Sequence, residues 1–283
     1  MKIIKRVSEV RSEVKNLKDK KNVIGLVPTM GAIHQGHISL VRGSKKECNI
    51  TVVSIFVNPT QFGPSEDYEK YPRDIQRDIL LLQEEGVDIL FMPSVEEMYG
   101  KKSLVSVEVS ELSEKFEGNL RPGHFKGVCT VVCKLFNIIS PDKSYFGWKD
   151  AQQLVIIKKM VKDLNMPIEI VGCQIFREQD GLAMSSRNVY LSPEDRKNSI
   201  ALYSGLKKIK DMVEVENIRD TSSLIVEGKR VAESFSGVEL DYLSAVDTNT
   251  LEPLDKIKGE VLILGAIKIA GVRLLDNILI KLK

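Results

Sequence analysis

Cysteine, histidine and tryptophan are scarce in this chain of 283 residues, which holds four, three and one of them. Cys48, Cys129, Cys133 and Cys173 form no Cys-x-x-Cys pair, and Cys129 with Cys133 has helical i, i+4 spacing. That excludes the common zinc-finger patterns and leaves reduced, structural thiols as the expectation. Long apolar runs are also missing. Val261 to Gly265 and Ile278 to Ile280 are interrupted by charge well short of the roughly 20 residues that a membrane span needs. The opening Met1-Lys2-Ile3-Ile4-Lys5-Arg6 lacks the continuous apolar core of a secretory signal, so the cytoplasm is the expected compartment. No sign of charge dominates: 41 Lys and Arg face 39 Asp and Glu, a net charge of +2. The chain therefore has no global electrostatic reason to bind nucleic acid or an anionic membrane. No internal repeat or low-complexity tract is visible.

The composition is that of an ordinary globular protein, with 43% hydrophobic and 28% charged residues. The length lies near the point where a single core divides, so one large domain and a smaller one are expected. The first half alternates short apolar runs with longer amphipathic stretches, the pattern of βα units that build a parallel sheet. Residues 22–28, 49–57, 87–93, 144–146 and 168–176 read as strands. Residues 38–48, 71–85, 127–139 and 150–164 read as helices, the third stopped by Ser140-Pro141. Past Arg187 the pattern changes. Ser192-Pro193-Glu194-Asp195 starts a helical region of two helices joined near 217–222. Strands follow at 240–246 and 259–269, and Gly271 to Asn277 leads to a last one. The predicted architecture is an α/β, Rossmann-like parallel-sheet domain over 1–180, followed by a smaller α+β domain over 181–283.

Two of the three histidines, His34 and His37, stand three positions apart directly after the strand that ends near Pro28-Thr29-Met30-Gly31. Ligands of parallel α/β sheets bind at the carboxyl ends of strands, and Gly31 and Gly36 permit a tight turn and close approach to a phosphate. The helix that follows offers unpaired N–H groups and a partial positive charge. Imidazoles there can stabilise the charge that develops as pyrophosphate leaves. The alternatives are a loop with two solvated histidines, or a zinc pair completed by His124, for which no partner has zinc-site spacing.

His-x-Gly-His before a helix is the signature of the nucleotidylyl transferase superfamily, and it implies adenylyl or cytidylyl transfer. The second half of such a site is a flexible loop late in the nucleotide domain, a place occupied here by Met184-Ser185-Ser186-Arg187. Two hydroxyls and a guanidinium suit a polyphosphate. Alone the tetrapeptide reads as a solvated turn.

The segments Val27 to His37, Phe56-Val57-Asn58-Pro59-Thr60-Gln61-Phe62 and Tyr71-Pro72-Arg73-Asp74 resemble those of the pantothenate synthetase (pantoate:beta-alanine ligase) family. So do Arg121 to Val128, Phe146-Gly147-Trp148-Lys149-Asp150-Ala151-Gln152-Gln153 and Asp180 to Asn188. Trp148 stands where that pattern leads one to expect Glu or Gln, and the tail after Asn188 matches only in length and general character. The resemblance implies ATP contacts from Met30, Gly31, Ala32, Ile33, His34, Gln35, Gly36, His37, Gly147, Trp148, Lys149, Asp150, Phe176, Met184, Ser185, Ser186 and Arg187. It implies that Gln61 and Gln153 hold pantoate, that Gln61 also meets beta-alanine, and that His34, His37 and Lys149 are catalytic, with His37 as proton donor. Mg2+ would arrive on the ATP phosphates with no dedicated protein site, and the protein would be a homodimer.

These residues also make chemical sense on their own. The Gln61 amide can donate to a carboxylate and accept from a hydroxyl. The i, i+4 spacing of Lys149 and Gln153 can turn both toward one ligand, although an exposed helix start would read the same way. Asp150 would order Lys149 or the ATP-bound metal. Arg121, His124 and Lys126 form a basic cluster that reads equally as a carboxylate contact, a positioning loop or a subunit contact. The rival functions are a nucleotidylyltransferase that stops at a nucleotide-activated product, and a regulatory module that binds ATP without turnover.

Overall fold

The computed structural model describes residues 1–64 and 66–282. Short apolar runs become strands and amphipathic stretches become helices, in the order β1 (Lys2–Ile4), α1 (Val7–Asp19), β2 (Ile24–Thr29), α2 (Gln35–Glu47), β3 (Ile50–Ile55), α3 (Ile75–Glu84) and β4 (Ile89–Phe91). There follow α4 (Val95–Tyr99), α5 (Phe116–Leu120), α6 (His124–Ile139), β5 (Lys143–Gly147), α7 (Ala151–Asp163) and β6 (Glu169–Cys173). The last third holds α8 (Pro193–Asn198), α9 (Ala201–Glu214), α10 (Thr221–Glu233), β7 (Val238–Asp247), β8 (Glu260–Ile269) and β9 (Val272–Lys281).

The chain divides into two compact units, Met1–Gly147 with Ile156–Gln174, and Trp148–Val155 with Ile175–Lys283. The turn after β5 and the start of α7 thus group with the C-terminal residues. In the first unit six parallel strands lie in the order β1-β4-β3-β2-β5-β6. Strands covered on both faces need near-continuous apolar sequence, and β3 is buried from Thr51 to its end. The chain runs outward from β2 through β3 to β4, then returns to lay β5 on the other side of β2. The carboxyl ends of β2 and β5 therefore flank the point where the strand order reverses, the place where open α/β sheets bind ligands.

In the second unit β7, β8 and β9 form an antiparallel meander. Leu202, Leu206 and Ile209 of α9 and Leu224 of α10 pack with Val261, Ile263 and Ile267 of β8 in one buried cluster. Ala270 and Gly271 both have positive φ and join Ile269 to Val272 in a two-residue turn. The last strand accordingly begins at Val272, and residues 271–277, expected to lead into it, are largely part of it.

Other differences lie at element ends and in short pieces. β1, α1, α4 and α5 were not among the expected elements, although Val7, Val10, Val14 and Leu17 of α1 stand at helical spacing, with Val10 and Val14 buried. α2 begins at Gln35 and α6 at His124, each three residues ahead of the stretch that marked it; the first turn of α2 is polar and capped by His34, whereas that of α6 already buries Phe125. All four cysteines are free. Burial, with Cys133 and Glu108 nearby, pushes the Cys129 thiol up to about 12, so it is protonated and inert at neutral pH. Among the described residues no helix is long and apolar enough to cross a membrane.

Candidate functional site: the histidine loop and its scaffolds

Beyond β2 the backbone turns sharply, with φ of +85° at Gly31 and +49° at Ala32. The side chain that holds this turn is Asp78 of α3, 1% exposed, whose oxygens accept from Ala32 N at 2.9 Å and Ile33 N at 2.7 Å. Burial pushes the Asp78 carboxyl up, and the two backbone donors pull it part of the way back. Thr29 Oγ1 accepts from Gly31 N at 3.1 Å while donating to Ser54 O, which ties the turn to β3. Ile33, fully buried, plugs the loop into the core.

This anchoring delivers His34 as the N-cap of α2 and His37 into its first turn. His34 Nδ1 accepts from Gly36 N at 3.1 Å, and His37 Nδ1 accepts from His34 N at a long 3.4 Å, a capping box made of two imidazoles. The rings stack with centroids 4.0 Å apart. Since each Nδ1 accepts, the proton of each neutral ring is assigned to Nε2. The loop thus carries two Nε2–H donors beside the N–H groups of a helix N-terminus, a set made for anionic oxygens.

Gln61, 8% exposed, ends a 3-10 turn over Pro59–Gln61. Asn58 Nδ2 donates to Gly127 O at 3.2 Å and to Gln61 Oε1 at 3.0 Å. A carbonyl can only accept, so it fixes the orientation of the Asn58 amide, which in turn fixes that of Gln61. Tyr99 OH and Thr60 Oγ1 donate to Asn58 Oδ1 at 2.7 and 2.9 Å. Gln61 Nε2 rests 3.1 Å from the Met30 thioether. Sulfur is a weak acceptor, so a carboxylate or hydroxyl oxygen arriving there replaces it with gain.

Gly127 makes this packing possible. A Cβ there would lie 2.4 Å from Thr60 O and 2.6 Å from the N and Cα of Gln61, all main-chain atoms that cannot swing aside. Gly127→Ala is expected to cost about 1–3 kcal/mol of stability, as overpacking does. An unchanged denaturant midpoint would mean that the turn yields to α6.

The basic cluster turns out to be internally compensated. Arg121 grips Glu66 with two bonds of 2.7 and 2.6 Å, and its Nη1 lies 3.1 Å from His124 Nε2. Lys126 lies 3.5 Å from Glu108. With Glu66 engaged by its guanidinium, Arg121 brings little net charge to a substrate, and the positioning alternative is the one its geometry favours.

The expected ATP residues of the second unit form a scaffold of their own. Lys149 lies in a 3-10 turn over Trp148–Asp150, ahead of α7, with Nζ 3.1 Å from Asp150 Oδ1. Asn277 Nδ2 donates to the carbonyls of Trp148 at 2.7 Å and Lys149 at 3.1 Å. Its neighbour Asp276, 6% exposed, takes two bonds from Arg177, which also donates to the Gly181 and Asn277 carbonyls and lies over the Tyr203 ring. Arg177 and Ala183 pair as an antiparallel bridge, and Met184 N donates to Phe176 O at 3.0 Å. Ser185 then caps a 3-10 turn over Ser186–Tyr190 by accepting from Arg187 N, and Asn188 Nδ2 ties that turn to Ala183 O and Glu178. One ion pair on β9 thus braces both the Lys149 turn and the segment that carries Met184 to Arg187. Gln153 follows on α7, half-buried, and Phe176 is 40% exposed.

Asp78, Arg177, Asp276 and Asn277 were not among the residues singled out in the sequence, and Asn58 was read only as part of the motif and turn ahead of Gln61. Asp78 had a readable sign, a carboxylate four positions before Leu82 on the apolar face of its helix. Arg177, Asp276 and Asn277 had none. A cavity of about 690 Å3 opens by the ends of β2, β3 and β4, lined by Met30, Gly31, Ala32, Asp78 and Arg73 among others, but not by His34, His37 or Gln61. Among the described residues no group of three or more His, Cys, Asp or Glu side chains converges as a metal set.

The family model described as pantoate-beta-alanine ligase matches residues 2–279. A pantothenate synthetase of Thermotoga petrophila is 51% identical over 277 residues, covering 98% of this chain and 99% of the relative. Among solved structures, a pantothenate synthetase of Thermus thermophilus superposes with a TM-score of 0.93 at 43% identity, over 98% of this chain and 99% of that one. A pantoate-beta-alanine ligase of Francisella tularensis, complexed with beta-gamma ATP and beta-alanine, gives a TM-score of 0.81 at 37% identity, over 99% and 97%.

Proposed function

Because this chain belongs to the pantoate-beta-alanine ligase family, we propose that it condenses pantoate with beta-alanine at the expense of ATP by way of a pantoyl adenylate. A carboxylate is a poor electrophile. Attack of the pantoate carboxylate on the α-phosphorus of ATP expels pyrophosphate and leaves AMP as the leaving group on the acyl carbon. The beta-alanine amine then attacks that carbon, AMP departs, and the amine loses a proton as the amide forms.

The observation that carries this reading is the imidazole capping box. It leaves Nε2–H of His34 and His37 as the assigned donors beside the α2 N-terminus, where they stabilise the charge that grows on the departing pyrophosphate. His37 is the proton donor of this reading. Lys149, held by Asp150, adds positive charge, and Ser185, Ser186 and Arg187 add hydroxyl and guanidinium donors for the phosphates. Met30 to Ile33, Gln35 and Gly36 line the nucleotide with Gly147, Trp148, Phe176 and Met184. Gln61 and Gln153 hold pantoate, and Gln61 also receives beta-alanine. Catalysis on this account is positioning and charge stabilisation.

Mg2+ fits as an ion carried on the ATP phosphates. It is a hard ion that needs few protein ligands, and Asp150 offers one half-exposed carboxylate beside Lys149. Bound there, it would neutralise phosphate charge. The reading treats 1–180 as the nucleotide and pantoate domain and 181–283 as a smaller lid, in a cytoplasmic homodimer whose support is the family alone.

The test is AMP formation with ATP, pantoate and beta-alanine, each omitted in turn. AMP is expected only with all three, while exchange of labelled pyrophosphate into ATP should need pantoate but not beta-alanine. Exchange without pantoate, or a nucleotide-activated final product, would replace the ligase with a nucleotidylyltransferase.

A further inference from the structure

We infer that Glu66, Arg121 and His124 act as a relay of positioning residues that holds the main chain of Gln61, and through it the amide that receives pantoate. The inference rests on the reading above that Gln61 binds pantoate.

A guanidinium can only donate, so the 3.1 Å contact from Arg121 Nη1 makes His124 Nε2 the acceptor. The imidazole proton must then sit on Nδ1, which lies 2.8 Å from Gln61 O and donates to it. A second proton, on Nε2, would point at the guanidinium and remove the acceptor that Arg121 uses. The tautomer is thus decided from the far side of the ring, by an arginine that Glu66 holds with two bonds. Burial pushes the Glu66 carboxyl up, yet the hydrogen bond and charge of Arg121 outweigh it and leave the group below its usual range. Glu66 is therefore ionised at neutral pH, and the bonds from Arg121 to Glu66 and to His124 are charge-assisted.

Gln61 is consequently held at both ends. Asn58 fixes its side-chain oxygen and His124 fixes its carbonyl. Asn58 and Gly127 hold the turn from the side, and a small rotation of its last peptide would swing Nε2 away from an incoming oxygen. His124 is the first residue of α6, and Gly127, one turn later, packs directly on Thr60 and Gln61. The relay and the glycine thus act on one short turn from one helix.

The test compares His124→Ala, His124→Asn and His124→Gln with Gln61→Ala in steady-state assays of each substrate. Asparagine places an amide N–H near the position of Nδ1, whereas glutamine places it near that of Nε2. Expected is a rise in pantoate KM of about tenfold or more in His124→Ala, the size of one lost hydrogen bond that orders a ligand site. ATP KM should stay within about twofold, with recovery in His124→Asn and none in His124→Gln. Glu66→Gln should raise pantoate KM in the same direction. If His124→Ala does not fold, the contrast between the asparagine and glutamine variants decides. Equal pantoate KM values in those two, or parallel changes in ATP KM, would overturn the relay and leave a structural tether. A Gln61→Ala variant with normal pantoate KM would instead remove the pantoate reading itself.

Discussion

Replacing His37 by alanine is expected to slow pantoate-dependent pyrophosphate release by about 10²–10³, the usual cost of deleting one donor to a developing charge, while the far-UV spectrum stays that of the native fold. The residue is half-buried, alanine favours a first helical turn, and the loop keeps its anchors to Asp78. On the proposed reading the ring does two jobs, however: Nδ1 caps the His34 N–H, and Nε2–H is the donor to phosphate. His37→Asn separates them, because the amide oxygen can still accept near the position of Nδ1 while no group stands where Nε2–H did. Turnover should be as poor in His37→Asn as in His37→Ala, with more of the thermal stability retained. Normal turnover in the asparagine variant would remove His37 from the chemistry and leave it a cap.

Asp276→Ala should be the most destabilising of these changes, with a loss of about 3–5 kcal/mol in urea unfolding, as for a buried ion pair stripped of one partner. Asp276 is 6% exposed, and burial pushes its carboxyl up against the two bonds and charge of Arg177. Its removal leaves a guanidinium in a largely buried position, still bonded to the Gly181 and Asn277 carbonyls and lying over Tyr203. The effect should also reach the nucleotide. Asn277 next door carries the Trp148 and Lys149 carbonyls, and Arg177 begins the hairpin that ends in Met184 to Arg187. In whatever fraction folds, ATP KM is expected to rise more than the KM of pantoate, whose proposed contact Gln61 belongs to the first unit. A loss below about 1 kcal/mol would mean that Arg177 finds water instead, as an exposed pair would.

Much of the candidate site was open to reading because its logic is local. A histidine that caps a helix acts on residues two or three positions away, so His34, Gln35, Gly36 and His37 could be recognised without knowledge of what lies across the fold. The same holds for Ser185, which caps its own turn, and for Lys149 with its neighbour Asp150. Strands β2, β3 and β4 were legible because both their faces are buried. β1, with three residues, was too short to show a period.

Sequence alone therefore determined the class of fold, the strand end proposed to meet phosphate and the family to which the residues point. Tertiary structure decided what holds those residues still. Asp78 reaches the loop from 46 residues away, His124 reaches Gln61 from 63, and Asn277 reaches Trp148 from 129. Such contacts leave no period and no spacing in a chain. They arise where a buried donor must find an acceptor after the strands have taken their order, and only the folded chain brings those groups within hydrogen-bonding distance.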